Sequence, residues 1–110
     1  MKIIVAITGA SGAIYARRTL EHLLESEQVE RIALIMSDTA KQVIEHEGVT
    51  LPASERIERY DNHEMFSSVA SGSAAWDAMI IVPASMGSVG RIAAGISQTL
   101  IERAADVMLK

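Results

Sequence analysis

Lys2-Ile3-Ile4-Val5-Ala6-Ile7 is an almost unbroken apolar run, rich in β-branched residues. A run without polar alternation predicts a parallel strand buried on both faces. The small residues Thr8-Gly9-Ala10-Ser11-Gly12 follow, and then the period changes. Between Ala13 and Glu27, Ala16, Leu20, Leu23 and Leu24 share one stripe, while Arg17, Arg18, Glu21 and Glu25 lie off it, which predicts an amphipathic helix. The alternation then repeats. Arg31 to Met36 predicts a second strand. Ser37 is placed to cap a helix from Asp38 to Glu47, and Gly48 is placed to stop it. Periodicity fades from Val49 to Asn62 around Pro52 and mixed charges, where the pattern allows a short third strand near Arg56 to Tyr60. Ala78 to Val82 predicts a further strand, ended by Pro83 and followed by the turn Ala84-Ser85-Met86-Gly87-Ser88. A helix from Ser88 to Ala94 is interrupted at Gly95. A last helix from Gln98 to Lys110 has Leu100, Ile101, Ala104, Ala105 and Met108 as its apolar face.

Strands alternating with helices predict an α/β fold, a single domain over residues 1–110 with a parallel sheet and right-handed crossovers. Ligands of such sheets bind beyond the carboxyl ends of the strands. The turns at residues 9–12, 37–39 and 84–88 all belong to that end. The last helix leads to no further strand, so the pattern reads as the N-terminal part of a longer domain. A sheet edge or an apolar helix face is then expected to want a partner.

Composition removes several classes of function. Hydrophobic residues make up 49% and charged residues 22% of the 110, which excludes global disorder. A net charge of −4 without a basic patch argues against nucleic acid as a partner. The absence of cysteine excludes disulfides, thiolate catalysis and zinc–sulfur sites. His22, His46 and His63 are too dispersed to predict a metal cluster. The longest apolar run, Ala78 to Ala84, contains a proline and is far too short to span a membrane. The N-terminus lacks the pattern of a signal peptide, so a cytoplasmic protein is expected.

The residues that could carry chemistry lie in the turns. Gly9 and Gly12 allow a tight turn and a close backbone approach, Ser11 adds a hydroxyl, and the helix that follows offers free N–H groups to an anion. A phosphate or cofactor cradle and a plain strand-to-helix turn both fit. The short-chain dehydrogenase pattern T-G-x-x-G-x-x-G holds through Gly12, but its last glycine falls on Tyr15, which counts against a nicotinamide cofactor. Ser37 and Ser85 each suit either a helix cap or a ligand contact. Glu47 follows Val43 and Ile44 at helical spacing; burial there would suit it to proton transfer, whereas a frayed helix end would leave it in water. Arg103 and Lys110, two helical turns apart, could hold a phosphate or form a solvated face with Glu102 and Asp106.

The turns taken together resemble a known family. Ile7-Thr8-Gly9-Ala10-Ser11-Gly12-Ala13-Ile14-Tyr15, then Met36-Ser37, Ala70-Ser71-Gly72-Ser73 and Val82-Pro83-Ala84-Ser85-Met86-Gly87-Ser88, and finally the stretch from Leu100 to Lys110 occur in that order. The combination resembles the flavin prenyltransferases of the UbiX type, formerly described as aromatic-acid or 3-polyprenyl-4-hydroxybenzoate decarboxylases, and in that family Tyr15 is expected. The resemblance implies a Rossmann-like flavoprotein fold and transfer of a dimethylallyl group from dimethylallyl phosphate to FMN. The N5 and C6 atoms of the flavin become joined to the prenyl unit in a fourth ring. The product, prenylated FMN, serves a partner decarboxylase of the UbiD type, and no metal is implied. The family's flavin-binding pattern falls on Gly9, Ala10, Ser11, Ser37, Ser85, Met86, Gly87 and Ser88. Its catalytic serine and glutamate fall on Ser11 and Glu47, and its phosphate-contacting arginine and lysine on Arg103 and Lys110.

Three departures accompany the resemblance. Ala84 stands where a cysteine is common, and Gly87 where some members carry lysine, so that charge is missing. Family members also continue past the position of Lys110, through an arginine–glutamate–threonine–proline segment and later residues that complete the prenyl-phosphate clamp. They act as homo-oligomers with sites shared between subunits. Two other readings stay open from the residues: part of an NAD(P)-dependent short-chain-type oxidoreductase, and a non-catalytic FMN-binding module.

Overall fold

A computed structural model describes residues 1–110. The elements run β1 (Lys2–Ile7), α1 (Ala13–Glu25), β2 (Arg31–Met36), α2 (Asp38–Glu47), β3 (Ile57–Asp61), β4 (Ala78–Ile81), α3 (Met86–Ala93) and α4 (Leu100–Leu109), with short 3-10 turns at Ser68–Ala70 and Gly72–Ala74. The strands form a parallel sheet in the order β3-β2-β1-β4, with Lys2 opposite Arg31 and Ile3 opposite Ala78.

The absence of polar alternation in β1 and β2 follows from their place. Each is flanked by two strands and covered on both faces. Ile3, Val5, Ile7, Ile32 and Leu34 point to one face, where they pack with Ala16 and Leu20 of α1 and Ala40 of α2. Ile4, Ala6, Ala33 and Ile35 point to the other, against Leu100, Ile101 and Ala104 of α4. Burial of one such leucine or isoleucine stabilises by about 1.5–3 kcal/mol, and Ile32, Leu34 and Ile35 are wholly buried. β3 is an edge strand, and the exposure of its Glu58 and Arg59 explains its mixed composition.

Element ends differ from the sequence reading for local reasons. α1 stops at Glu25 rather than Glu27. The Arg56 guanidinium donates to the carbonyls of Leu24, Ser26 and Val29, satisfying groups that the helix leaves free. α3 begins at Met86, two residues before the expected Ser88, because Ser85 is its cap and accepts Ser88 N–H at 3.2 Å. α4 begins at Leu100 rather than Gln98, with Thr99 accepting the N–H of Glu102 at 3.3 Å.

The outer edge of β4 pairs with no strand, and all four of its residues are only partly buried. Beside it Met79, Ile81, Ile92, Ala105, Met108 and Leu109 line an apolar groove of about 230 Å³. The expected edge and apolar helix face are therefore both present, on the same side of the molecule. No helix is long and apolar enough to cross a membrane.

Candidate functional site

The strand order decides where a crevice forms. From β1 the chain moves out to β2 and β3 on one side, then returns to β4 on the other. The connection reverses direction between β1 and β4, and ligands of open α/β sheets bind at that reversal, beyond the carboxyl ends. Thr8 ties the two sides together there. Its Oγ1 donates to Pro83 O at 2.7 Å and accepts from Ser85 N at 2.7 Å, and the residue is 2% exposed. The Val82–Pro83 peptide beside it is cis.

Thr8→Val keeps the shape and removes both bonds. The half-buried Ser85 N–H then has no partner within the chain, at a cost of about 1 kcal/mol. Urea unfolding should show a lower midpoint at unchanged slope; an unmoved midpoint would refute this role for the hydroxyl.

The first turn is built by close packing. A Cβ on Gly9 would stand 2.4 Å from Thr39 Cγ2 of α2, so packing against the neighbouring helix by itself requires glycine here. Gly12 has φ of 110°, a conformation side chains disfavour. Tyr15 lies over it, with Cδ2 2.9 Å from the place of a Gly12 Cβ. The space that the dinucleotide fingerprint keeps clear with a third glycine is thus filled by a ring, which disfavours the oxidoreductase reading. Ala10 is partly buried, and Ser11 is exposed at the tip.

Glu47 lies elsewhere than its helical spacing suggested. It is exposed rather than buried, and its side chain reaches across to α1. The carboxylate accepts Ala13 N–H at 2.8 Å and Gly12 N–H at 3.3 Å. It thereby caps a helix whose own cap residue, Gly12, has no side chain to do so. The contact holds the Glu47 carboxylate against Gly12, the residue that follows Ser11 in the chain.

Ser37 and Ser85 both act as caps, of α2 and α3. Ser37 Oγ accepts Ala40 N–H at 3.0 Å. Ser85 Oγ accepts Ser88 N–H and donates to Ser88 Oγ at 2.9 Å. Capping leaves Ser37 with a hydroxyl proton still to donate, and Ser88, whose oxygen accepts from Ser85, keeps its own. Met86 and Tyr15 are 83% and 66% exposed, an apolar rim around the polar turns.

The cations divide. Arg103 and Lys110 both pair with Asp106 of the same helix, at 3.4 and 3.2 Å. Glu102, expected beside them, is instead 4% exposed and accepts from Arg91 Nε at 2.8 Å and Gln98 N at 3.0 Å. Burial pushes the Glu102 carboxyl up, and these donors together with Thr99 and the Arg91 charge more than offset it, leaving the group below the usual carboxylate range. α4 starts at the carboxyl edge, where Leu100 N and Ile101 N donate to Asn62. It ends at the amino edge, where Val107 and Met108 share a cavity of about 300 Å³ with Trp76 and Asp77. Lys110 and the Ser71-Gly72-Ser73 turn are therefore at the end of the sheet away from the crevice. Arg91 was not singled out from the sequence. It lies one helical turn beyond Gly87, with Nη1 3.1 Å from where a Gly87 Cβ would stand.

Three helix starts, several hydroxyls and an apolar rim at one crevice suit a phosphorylated ligand with a planar ring. Comparison with known proteins agrees. A family model described as "Flavoprotein" matches residues 1–110. The chain is 44% identical to the flavin prenyltransferase UbiX of Methanocaldococcus jannaschii, over all of this chain and 60% of that protein. It is 43% identical to the flavin prenyltransferase LpdB of Lactiplantibacillus plantarum, over 99% of this chain and 59% of that one. Among solved structures it is similar to AnUbiX (PadA1) in complex with FMN and dimethylallyl pyrophosphate, with a TM-score of 0.85 and 36% identity over 98% of this chain and 58% of that one. It is also similar to a dodecameric FMN-dependent UbiX-like decarboxylase from Escherichia coli O157:H7, with a TM-score of 0.87 and 37% identity over 99% and 61%. The chain spans about 60% of the length of the curated relatives it matches.

Proposed function

We propose that this chain, which belongs to the flavoprotein family and to its UbiX-type branch, carries the flavin site of a prenyltransferase that transfers a dimethylallyl group from dimethylallyl phosphate to FMN. The observation that carries the reading is the row of three capped turns along the carboxyl edge of β2, β1 and β4, with Glu47 held against the one after β1. FMN, when bound, supplies the ring atoms that accept the prenyl group. The similarity to flavin prenyltransferases and to an FMN-bound structure supports the same assignment.

The residues divide the work. Gly9, Ala10 and Ser11 shape the first wall of the crevice. Ser37, Ser85 and Ser88 present hydroxyls and helix N–H groups to the phosphate and polyol of the ligand, and Met86 and Gly87 border its ring. Ser11 and Glu47 hold and move a proton beside it. A cation near the departing phosphate would lower the cost of charge developing there. Arg103 is assigned that role. Lys110 lies away from the crevice of its own chain and is assigned to the crevice of a second copy, which makes a homo-oligomer part of the reading. The product would go to a UbiD-type decarboxylase. Residues 1–110 are read as one flavin-binding unit in the cytoplasm.

The test is retention of FMN. The purified protein is mixed with FMN and desalted, and flavin absorbance should stay with it. A folded chain that retains none would remove the basis of the proposal.

A further inference from the structure

We propose that Arg91 is a further ligand-binding residue of the crevice, contacting an anionic phosphate oxygen at the turn from Ser85 to Ser88. The identity of that phosphate as part of FMN rests on the reading above; the placement of the guanidinium does not. Side chains on a helix lean back toward its amino end, so a residue one turn on can cover the turn before it. Arg91 does this over Gly87, and its Nη1 occupies the space a side chain at 87 would take. Its other edge is fixed. Nε donates to Glu102, whose carboxylate is itself buried and braced by Gln98 N–H. The arginine side chain is 47% exposed, and of its guanidinium nitrogens only Nε makes a hydrogen bond within the chain, which leaves Nη1 and Nη2 to donate elsewhere. A guanidinium locked along one edge and open along the other is suited to paired phosphate oxygens. Ser88, in the turn it covers, adds a hydroxyl. A positive charge therefore reaches position 87 from the following turn, although glycine itself brings none.

FMN, riboflavin and inorganic phosphate are to be titrated against the unchanged protein, Arg91→Gln, Arg91→Lys and Glu102→Gln, each checked by thermal melting. Arg91→Gln should weaken FMN binding by roughly tenfold or more and leave riboflavin, which has no phosphate, unaffected. Arg91→Lys should recover part of the loss, since it keeps the charge but not the fork. Glu102→Gln, which frees the guanidinium without removing it, should cost less than Arg91→Gln. Inorganic phosphate should perturb the Arg91 side-chain resonances of the flavin-free protein. Equal weakening of FMN and riboflavin, or a Glu102→Gln loss as large as that of Arg91→Gln, would assign Arg91 to the α3–α4 clamp alone and overturn the proposal. A protein that holds no FMN but shows the phosphate effect at Arg91 would sink the flavin reading and sustain this one. Absence of the phosphate effect would overturn this one.

Discussion

Glu47→Gln is expected to lower the rate of prenyl transfer by about 10²–10⁴-fold while FMN retention stays unchanged. The prediction depends on two jobs for one side chain, the cap that the structure shows and the proton transfer proposed above. As a cap, Glu47 accepts Ala13 N–H at 2.8 Å, and an amide oxygen can accept the same bond. The turn and the start of α1 should therefore survive the change, with only the weak attraction of a carboxylate for a helix amino end lost, about 0.3–1 kcal/mol. In the proposed proton transfer, by contrast, an amide has no capacity to accept the proton. Glu47→Ala separates the jobs further, because it also removes the cap, at a stability cost of about 0.5–2 kcal/mol. Turnover is followed by the mass of the flavin product with dimethylallyl phosphate as donor, and binding by retained absorbance. If Glu47→Gln turns over at the unchanged rate, the carboxylate is a cap alone and the non-catalytic binding module becomes the better reading. If binding and turnover fall together, the residue holds the ligand and its proton-transfer role is lost.

The elements that were legible from the sequence are those whose signal is local. β1, β2 and α2 have the bounds that apolar runs and a capping serine predict. β3 lies one residue from its expected range, even though its edge position dilutes the pattern. What sequence spacing could not reveal is reach. Glu47 lies on the apolar side of α2 by periodicity, yet an exposed glutamate at a helix end can extend to another element, and this one ends on α1. Glu102 looked like a surface neighbour of Arg103 and Lys110. Its place in the first turn of α4 instead turns it toward α3 and buries it. Lys110 joins Arg103 by helical arithmetic, but a ten-residue helix carries it from one edge of the sheet toward the other. Arg91 had a readable signal, an i to i+4 spacing from Gly87 in a turn proposed to hold the ligand. That signal acquires meaning only when the glycine's missing side chain is seen to be replaced.

Gly9→Ala is the second change with a large expected effect: loss of FMN retention together with about 1–3 kcal/mol of stability. The added methyl would meet Thr39 Cγ2 at 2.4 Å and Thr39 Cβ at 2.6 Å, both well inside contact distance. Threonine is β-branched and stiff about its first torsion, so a rotamer change cannot clear both atoms. The start of α2 must move away from the turn after β1. Ser37, one residue before that helix, moves with it, and the crevice loses the alignment of two of its walls. The pair of distances also predicts which second substitution restores the site. Thr39→Ala removes Cγ2 but leaves Cβ in place, so Gly9→Ala/Thr39→Ala should stay defective. Thr39→Gly removes both atoms and should restore FMN retention, at a helix-propensity cost of about 0.2–0.5 kcal/mol relative to threonine. Recovery in the alanine pair, or none in the glycine pair, would mean that Gly9 is needed for the ligand's own approach and not for packing against α2.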